Sequence, residues 1–303
     1  MHEINLSDFS LRTDLIIDSN KSDLEVIERY KFSNGEVIKS VAKNKNDQYV
    51  TISFFDVTDK DNYNNVEFYF IKELKKIFER LKLKDNDTVL VVGLGNDKST
   101  PDALGPMVVD NVLVTKYLFN LGDVEEGYQN ICSFKPDVTG STGIETVDMI
   151  KCVAEVSDAK CLIVIDALAA SAVGRLNRVI QITNTGIHPG SGVSNNRGEI
   201  SYNTIGVPVI AIGVPTIVEA DTIVADTFSK IDSFFNEKNS NVLGKISELS
   251  KNEFKQLLRE ISFSDSNLMV TPKEIDFVIE KLGLLIGNGI NKTVHKNFIR
   301  QNS

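Results

Sequence analysis

Apolar positions along this chain change their spacing several times, and each change marks an element. Residues 1–20 are polar apart from Phe9-Ser10-Leu11 and Leu15-Ile16-Ile17, a pattern that suits an arm docked on a body. Tyr49–Phe54 alternates with the two-residue period of a strand. Gly35 and the Asn44–Asp47 stretch supply turn residues, so residues 34–56 predict a hairpin. Asp56–Asn65 reads as a polar linker. Val66, Phe70, Leu74, Ile77, Phe78 and Leu81 then form one stripe, which predicts a helix from Val66 to Leu83.

From there the two periods take turns. Short apolar runs predict strands at Thr88–Val92, Tyr128–Ser133, Leu162–Ile165, Val179–Thr183 and Val207–Ile212. Helical spacing falls between and after them, at Pro106–Phe119, Gly143–Val156 and Ile217–Phe235. Beyond Ser240 two more helices are expected, Val242–Phe263 and Pro272–Ile290. Strands alternating with helices predict an α/β fold. The expected form is a three-layer α/β/α sandwich on a mostly parallel or mixed central sheet. An N-terminal hairpin and C-terminal helices would be attached to it. The order of the strands is not legible at this level.

Composition narrows the partners. The 303 residues are 42% hydrophobic and 25% charged, with a net charge of −9. An acidic chain argues against nucleic acid, since phosphate binding needs clustered Lys and Arg. No run of 18 apolar residues predicts a membrane span, and the polar N-terminus is not a secretory signal. The three cysteines, Cys132, Cys152 and Cys161, show neither a CxxC pair nor metal-site spacing, which reads as a reduced intracellular protein.

Two aspartates carry the candidate chemistry. Asp102 follows the strand ending Val91-Val92 and the turn Gly93-Leu94-Gly95-Asn96, and Asp166 follows Ile163-Val164-Ile165. Strand C-termini of an open α/β sheet share one edge, where ligands bind, so these two acids can meet in one cleft. For Asp102 the competing reading is a helix cap near Pro101 and Pro106. For Asp166 it is a carboxylate accepting N–H bonds from an Ala167–Ala170 turn. The Gly93–Asn96 turn does not complete GxGxxG, because Lys98 stands in the third glycine's place, and it lacks the GK[ST] of a P-loop.

A third cluster is Thr185–Gly192, where three glycines and Pro189 shape a loop carrying His188, Gly190 and Ser191. No GxSxG elbow surrounds any serine. A metal held by Asp102, Asp166 and His188 is chemically possible, and nothing in the spacing selects it.

These segments together resemble the germination protease family of spore-forming bacteria. The residues that carry the resemblance are Arg12–Leu15, Gly93–Asn96, Thr100–Val109, Gly140, Thr142–Thr146, Ile165–Ala170, Thr185–Gly192, Gly206 and Pro208–Pro215. Segments 21–85 and 236–303 match more weakly. After Asn96 the chain reads Asp97-Lys98-Ser99, where an apolar or aromatic residue is expected near the start.

The resemblance implies an atypical aspartic endopeptidase, related in fold to hydrogenase maturation endopeptidases, with Asp102 and Asp166 catalytic. Gly95, Asn96, His188 and Gly190 would line the cleft or position groups in it. No metal and no cofactor is implied. Small acid-soluble spore proteins are the expected substrates, in the cytoplasm of the forespore or the spore core. The family implies a homotetramer made as a zymogen that removes its own N-terminal segment. Cleavage after an acid and before an apolar residue would fall between Asp14 and Leu15. Residues 1–14 are thus expected as the pro-segment and 15–303 as one protease domain, with its core over about 85–236 and a helical extension over about 240–303. Two rival readings stand beside this one. The first is a metal-dependent maturation-type peptidase, the second a catalytically silent binding protein with the same cleft.

Overall fold

The computed structural model describes residues 24–42, 46–189, 198–227 and 268–298. The arm with Asp14 and Leu15, Gly190 and Ser191, and the predicted helix Val242–Phe263 lie outside these residues. Among the described residues nine strands form one mixed sheet. They are β1 (Leu24–Phe32), β2 (Gly35–Ala42), β3 (Gln48–Phe54), β4 (Thr88–Gly93), β5 (Ile131–Phe134), β6 (Ala159–Ala170), β7 (Val179–Thr183), β8 (Val209–Glu219) and β9 (Met269–Val270). The spatial order is β1-β2-β3-β7-β8-β6-β4-β5, with β9 added beside β8. Strands β8, β6, β4 and β5 are mutually parallel; every other pairing is antiparallel.

Buried side chains of the parallel strands alternate between two cores. Val89 and Val91 of β4, with Cys161, Ile163 and Ile165 of β6, join the core beneath α1 (Lys60–Arg80), α2 (Leu104–Asp110) and the C-terminal helix. Leu90, Val92, Leu162 and Val164 face the opposite core, with Ile150 and Ala154 of helix α5 (Thr146–Val156). A strand apolar on both faces must be covered on both, so the three layers follow from the sequence of β4 and β6. Other helices among the described residues include α3 (Lys116–Leu121), α4 (Thr139–Thr142), α6 (Tyr202–Ile205) and α7 (Ile275–Val294).

Several boundaries differ from expectation, each for a tertiary or capping reason. The expected hairpin is present as β2 and β3, but β1 adds a third strand to it and β3 joins it to the main sheet through β7. The expected linker is largely helix: Asp59 caps α1 by accepting the Asn62 N–H at 2.8 Å, so the helix starts at Lys60. The single helix expected over Pro106–Phe119 is broken into α2 and α3. Asn291 of α7 takes the backbone between them, donating to the Asn111 carbonyl and accepting from the Leu113 N–H, both at 2.8 Å. Strand β8 runs through Glu219, where helix had been expected from Ile217, because β6 pairs one edge and β9 the other; residues 220–227 then turn helical.

The end of α7 carries a pH-sensitive packing group. His295 is 1% exposed, and its Nδ1 accepts the Gln129 N–H at 3.1 Å. The rings of Tyr128 and Phe298 lie against it. Burial drives its pKa down to about 4, from an ordinary 6.5. The unfolded chain therefore binds a proton first as pH falls, and stability drops between about 6.5 and about 4, by up to roughly 3 kcal/mol. His295→Asn keeps an acceptor for Gln129 and removes the titration. Its denaturation midpoint should fall less than the wild type's between pH 7 and pH 4.5. Parallel decline in both proteins would show that other groups govern acid sensitivity.

Candidate active site

Strand β4 ends at Gly93, opposite Ile165 of β6, and the Leu94 N–H donates to the Ile165 carbonyl at 2.8 Å. Strand β6 does not stop there. It continues to Ala170 because β8 pairs it that far, with Asp166 opposite Gly213. Asp166 therefore lies inside a strand and not at its end, which corrects the expectation of a following Ala167–Ala170 turn. It still lines a cavity, because its neighbour β4 has ended one residue earlier. The side chain is 6% exposed, and its Oδ1 accepts the N–H of Ala167 at 3.0 Å.

Asp102 is placed by the loop after β4. Gly95 takes φ +107°, a conformation open to glycine, and turns the chain. The Asn96 N–H then reaches both Oδ2 of Asp102 at 3.0 Å and its backbone carbonyl at 3.1 Å. The Asn96 carbonyl accepts from Ser99, and the Ser99 carbonyl from Asp102 at 2.7 Å, closing the loop on itself. Asp102 ends a short 3₁₀ turn (Thr100–Asp102) just ahead of α2. The capping alternative finds no support in the geometry, because α2 has Ala103 at its cap and no side-chain cap bond.

Gly95, Asp102 and Asp166 meet in one cavity of about 350 Å³. The chain runs from β4 outward to β5 and returns across β4 to β6, so this is a point where the connections diverge. Such points are where open α/β sheets leave a crevice at their strand C-termini. Asn96 lies outside the wall and is joined to it through its bond to Asp102. His188 is exposed and its neighbour Pro189 forms part of the wall.

The wall also holds residues that sequence reasoning missed. Asp137 and Thr146 come from the segment after β5, Thr216 and Ile217 from β8, and Met269 and Thr271 from around β9. Asp137 repeats the pattern of an acid after a parallel strand. It was missed because Ile131–Phe134 is short and only partly apolar. Met269 belongs to a two-residue strand that no periodicity reveals. Among the described residues the cavity wall contains no Lys, Arg or His, and no group of three or more His, Cys, Asp or Glu is set to hold a metal.

The family model described as germination protease matches residues 8–241 and 230–303. The chain belongs to the germination protease family. It is 36% identical to the germination protease of Bacillus subtilis (strain 168), over 99% of this chain and 97% of that one. The germination protease of Bacillus mycoides (strain KBAB4) is 37% identical, with 99% and 98% covered. That of Priestia megaterium is 36% identical at the same coverage. The protein is thus a protease with an α/β fold, and the matches span both the sheet and the C-terminal helix. None of its described helices is long and apolar enough to cross a membrane.

Proposed function

We propose that this protease is an aspartic endopeptidase in which Asp102 and Asp166 act as one unit. The observation that carries the reading is that two acids from distant segments line one cavity at the strand C-termini. Two neighbouring carboxylates do not both ionise cheaply, so one holds a proton while the other stays charged. The charged one takes a proton from water as the water attacks the scissile carbonyl. The protonated one donates to the carbonyl oxygen or the leaving amine. The roles of acid and base belong to the pair and not to either residue alone. No step needs a metal ion, and turnover is expected to persist in a chelator.

The substrates in this reading are small acid-soluble spore proteins in the spore core or forespore, and the working form is a homotetramer. Residues 1–14 form a pro-segment ahead of one protease domain. Thr13-Asp14-Leu15-Ile16-Ile17 places an acid before an apolar run, and self-cleavage falls between Asp14 and Leu15. The intact mass of the purified chain, followed at mildly acidic pH, tests this directly. Wild type should lose a fragment ending at Asp14, and Asp166→Asn should keep its full mass. Trimming that continues in the variant, or a new N-terminus far from Leu15, would refute self-processing.

A further inference from the structure

The C-terminal helix α7 has a composition that helix formation alone does not favour. Gly283, Gly287 and Gly289 lie in its interior, and glycine is the poorest helix former after proline. None of these three has a positive φ, so the backbone does not require glycine there. Close approach does. Gly283, Gly287 and Asn291 recur every four residues and share one face of the helix. That face lies along α2. A Cβ at Gly283 would stand 3.0 Å from the Cβ of Met107, and one at Gly287 would stand 2.6 Å from the Cβ of Asn111. One turn further on, the Asn291 side chain holds the backbone at Asn111 and Leu113.

The other side of α2 is held as tightly. A Cβ at Gly105 would lie 2.2 Å from the Leu94 carbonyl oxygen, and one at Gly93, the last residue of β4, would lie 2.2 Å from the Gly105 carbonyl oxygen. The helix is therefore clamped between the end of β4 and α7, with no room for a methyl group at these contacts. Asp102 stands at the head of this helix, and the Met107 N–H donates to the Ala103 carbonyl at 3.0 Å, tying the first turn to the residue after Asp102. Asp166 is fixed to the same strand end, because the Leu94 N–H bonds the Ile165 carbonyl at 2.8 Å. How deep α2 sits between β4 and α7 thus sets where Asp102 stands relative to Asp166.

We propose that the α7 face formed by Gly283, Gly287 and Asn291 is a positioning element for the reaction, seating α2 and, through it, Asp102. The proposal rests on the reading of Asp102 and Asp166 as the catalytic pair. Interiors packed this closely transmit a displacement and do not absorb it. A methyl group at Gly287 would press on backbone as well as side chain, since the Val108 carbonyl oxygen lies 3.1 Å from the added carbon. Helix α2 cannot retreat toward β4, because Gly105 already touches Leu94 there. It has to slide or tilt, and Asp102 moves with its head. The C-terminal helix in this way governs the geometry of the two acids, and small errors in that geometry are costly to the chemical step.

The test sets Gly287→Ala against Gly289→Ala. A Cβ at Gly289 also collides, at 2.4 Å, but with the Phe70 ring of α1 and not with α2. Both variants should melt earlier than wild type, so kcat and KM are measured on one purified small acid-soluble spore protein well below either melting point. Gly287→Ala should lower kcat at least about tenfold with KM within about twofold, while Gly289→Ala keeps kcat within about twofold of wild type. Adding Asn111→Gly to Gly287→Ala removes the Cβ in the way and should restore kcat, since touching sites do not act additively. Asn291→Ala takes away both bonds to α2 without adding bulk, and it serves as the second variant should Gly287→Ala fail to fold; its kcat should fall at least about fivefold. Equal kcat in the Gly287 and Gly289 variants, a loss that Asn111→Gly does not restore, or wild-type kcat in Asn291→Ala would overturn the role of α7. Asp102→Asn is assayed alongside, and turnover retained there would instead remove the catalytic pair itself.

Discussion

Asp102→Asn and Asp166→Asn are each expected to abolish proteolysis, lowering kcat by about 10³-fold or more, while leaving the fold in place. The amide copies the shape of the carboxylate. At position 166 it keeps an oxygen for the Ala167 N–H, and at position 102 an oxygen for the Asn96 N–H. What it removes is the ability to take or give a proton. In the proposed pair the two acids act as one unit, so the double variant should be no slower than either single one. The check is turnover of a protein substrate beside a thermal unfolding curve for each variant. Near wild-type turnover in either single variant would disprove the pair. A loss accompanied by a lowered unfolding temperature would point instead to a structural acid.

Gly95→Ala should cost about 100-fold in kcat through position alone, because small misplacements of a catalytic group are expensive. A Cβ at residue 95 would lie 2.0 Å from the carbonyl oxygen of Asp102 and 3.0 Å from its Oδ1. No side chain can rotate away to relieve the first contact, since it is with backbone. The loop must open, and Asp102 moves with it. Gly122→Ala separates this displacement from simple backbone strain. Gly122 also has positive φ, at +73°, but nothing lies within 4 Å of the added carbon. It should lose about 1 kcal/mol of stability and keep its activity. Equal effects on turnover from the two substitutions would mean that the Gly95 contact does not position Asp102.

The two predictions depend on the sequence to different degrees. Asp102 and Asp166 were visible because each follows a run that is apolar on both faces, and such runs form parallel strands with a shared C-terminal edge. The layer count was visible for the same reason, since Val89–Val92 and Leu162–Ile165 demand cover on both sides. The contact between Gly95 and Asp102 was not. A glycine in a turn announces positive φ, but not what approaches it.

Local pattern also misled where distant groups compete for the same backbone. Pro106–Phe119 has helical spacing throughout, yet Asn291, far along the chain, claims the backbone at Asn111 and Leu113 and breaks it. Strand β6 outruns its apolar core because β8 supplies partners as far as Ala170, which places Asp166 inside a strand. Periodicity by itself brought out most of the strands and helices and singled out Asp102 and Asp166 as acids that follow apolar strands. Tertiary structure decided the strand order, and with it the placing of Asp137 at one end of the cavity and Met269 at the other. A hydrophobic pattern records which face of an element is buried; it does not record which element does the burying, and that pairing sets what meets at the sheet edge.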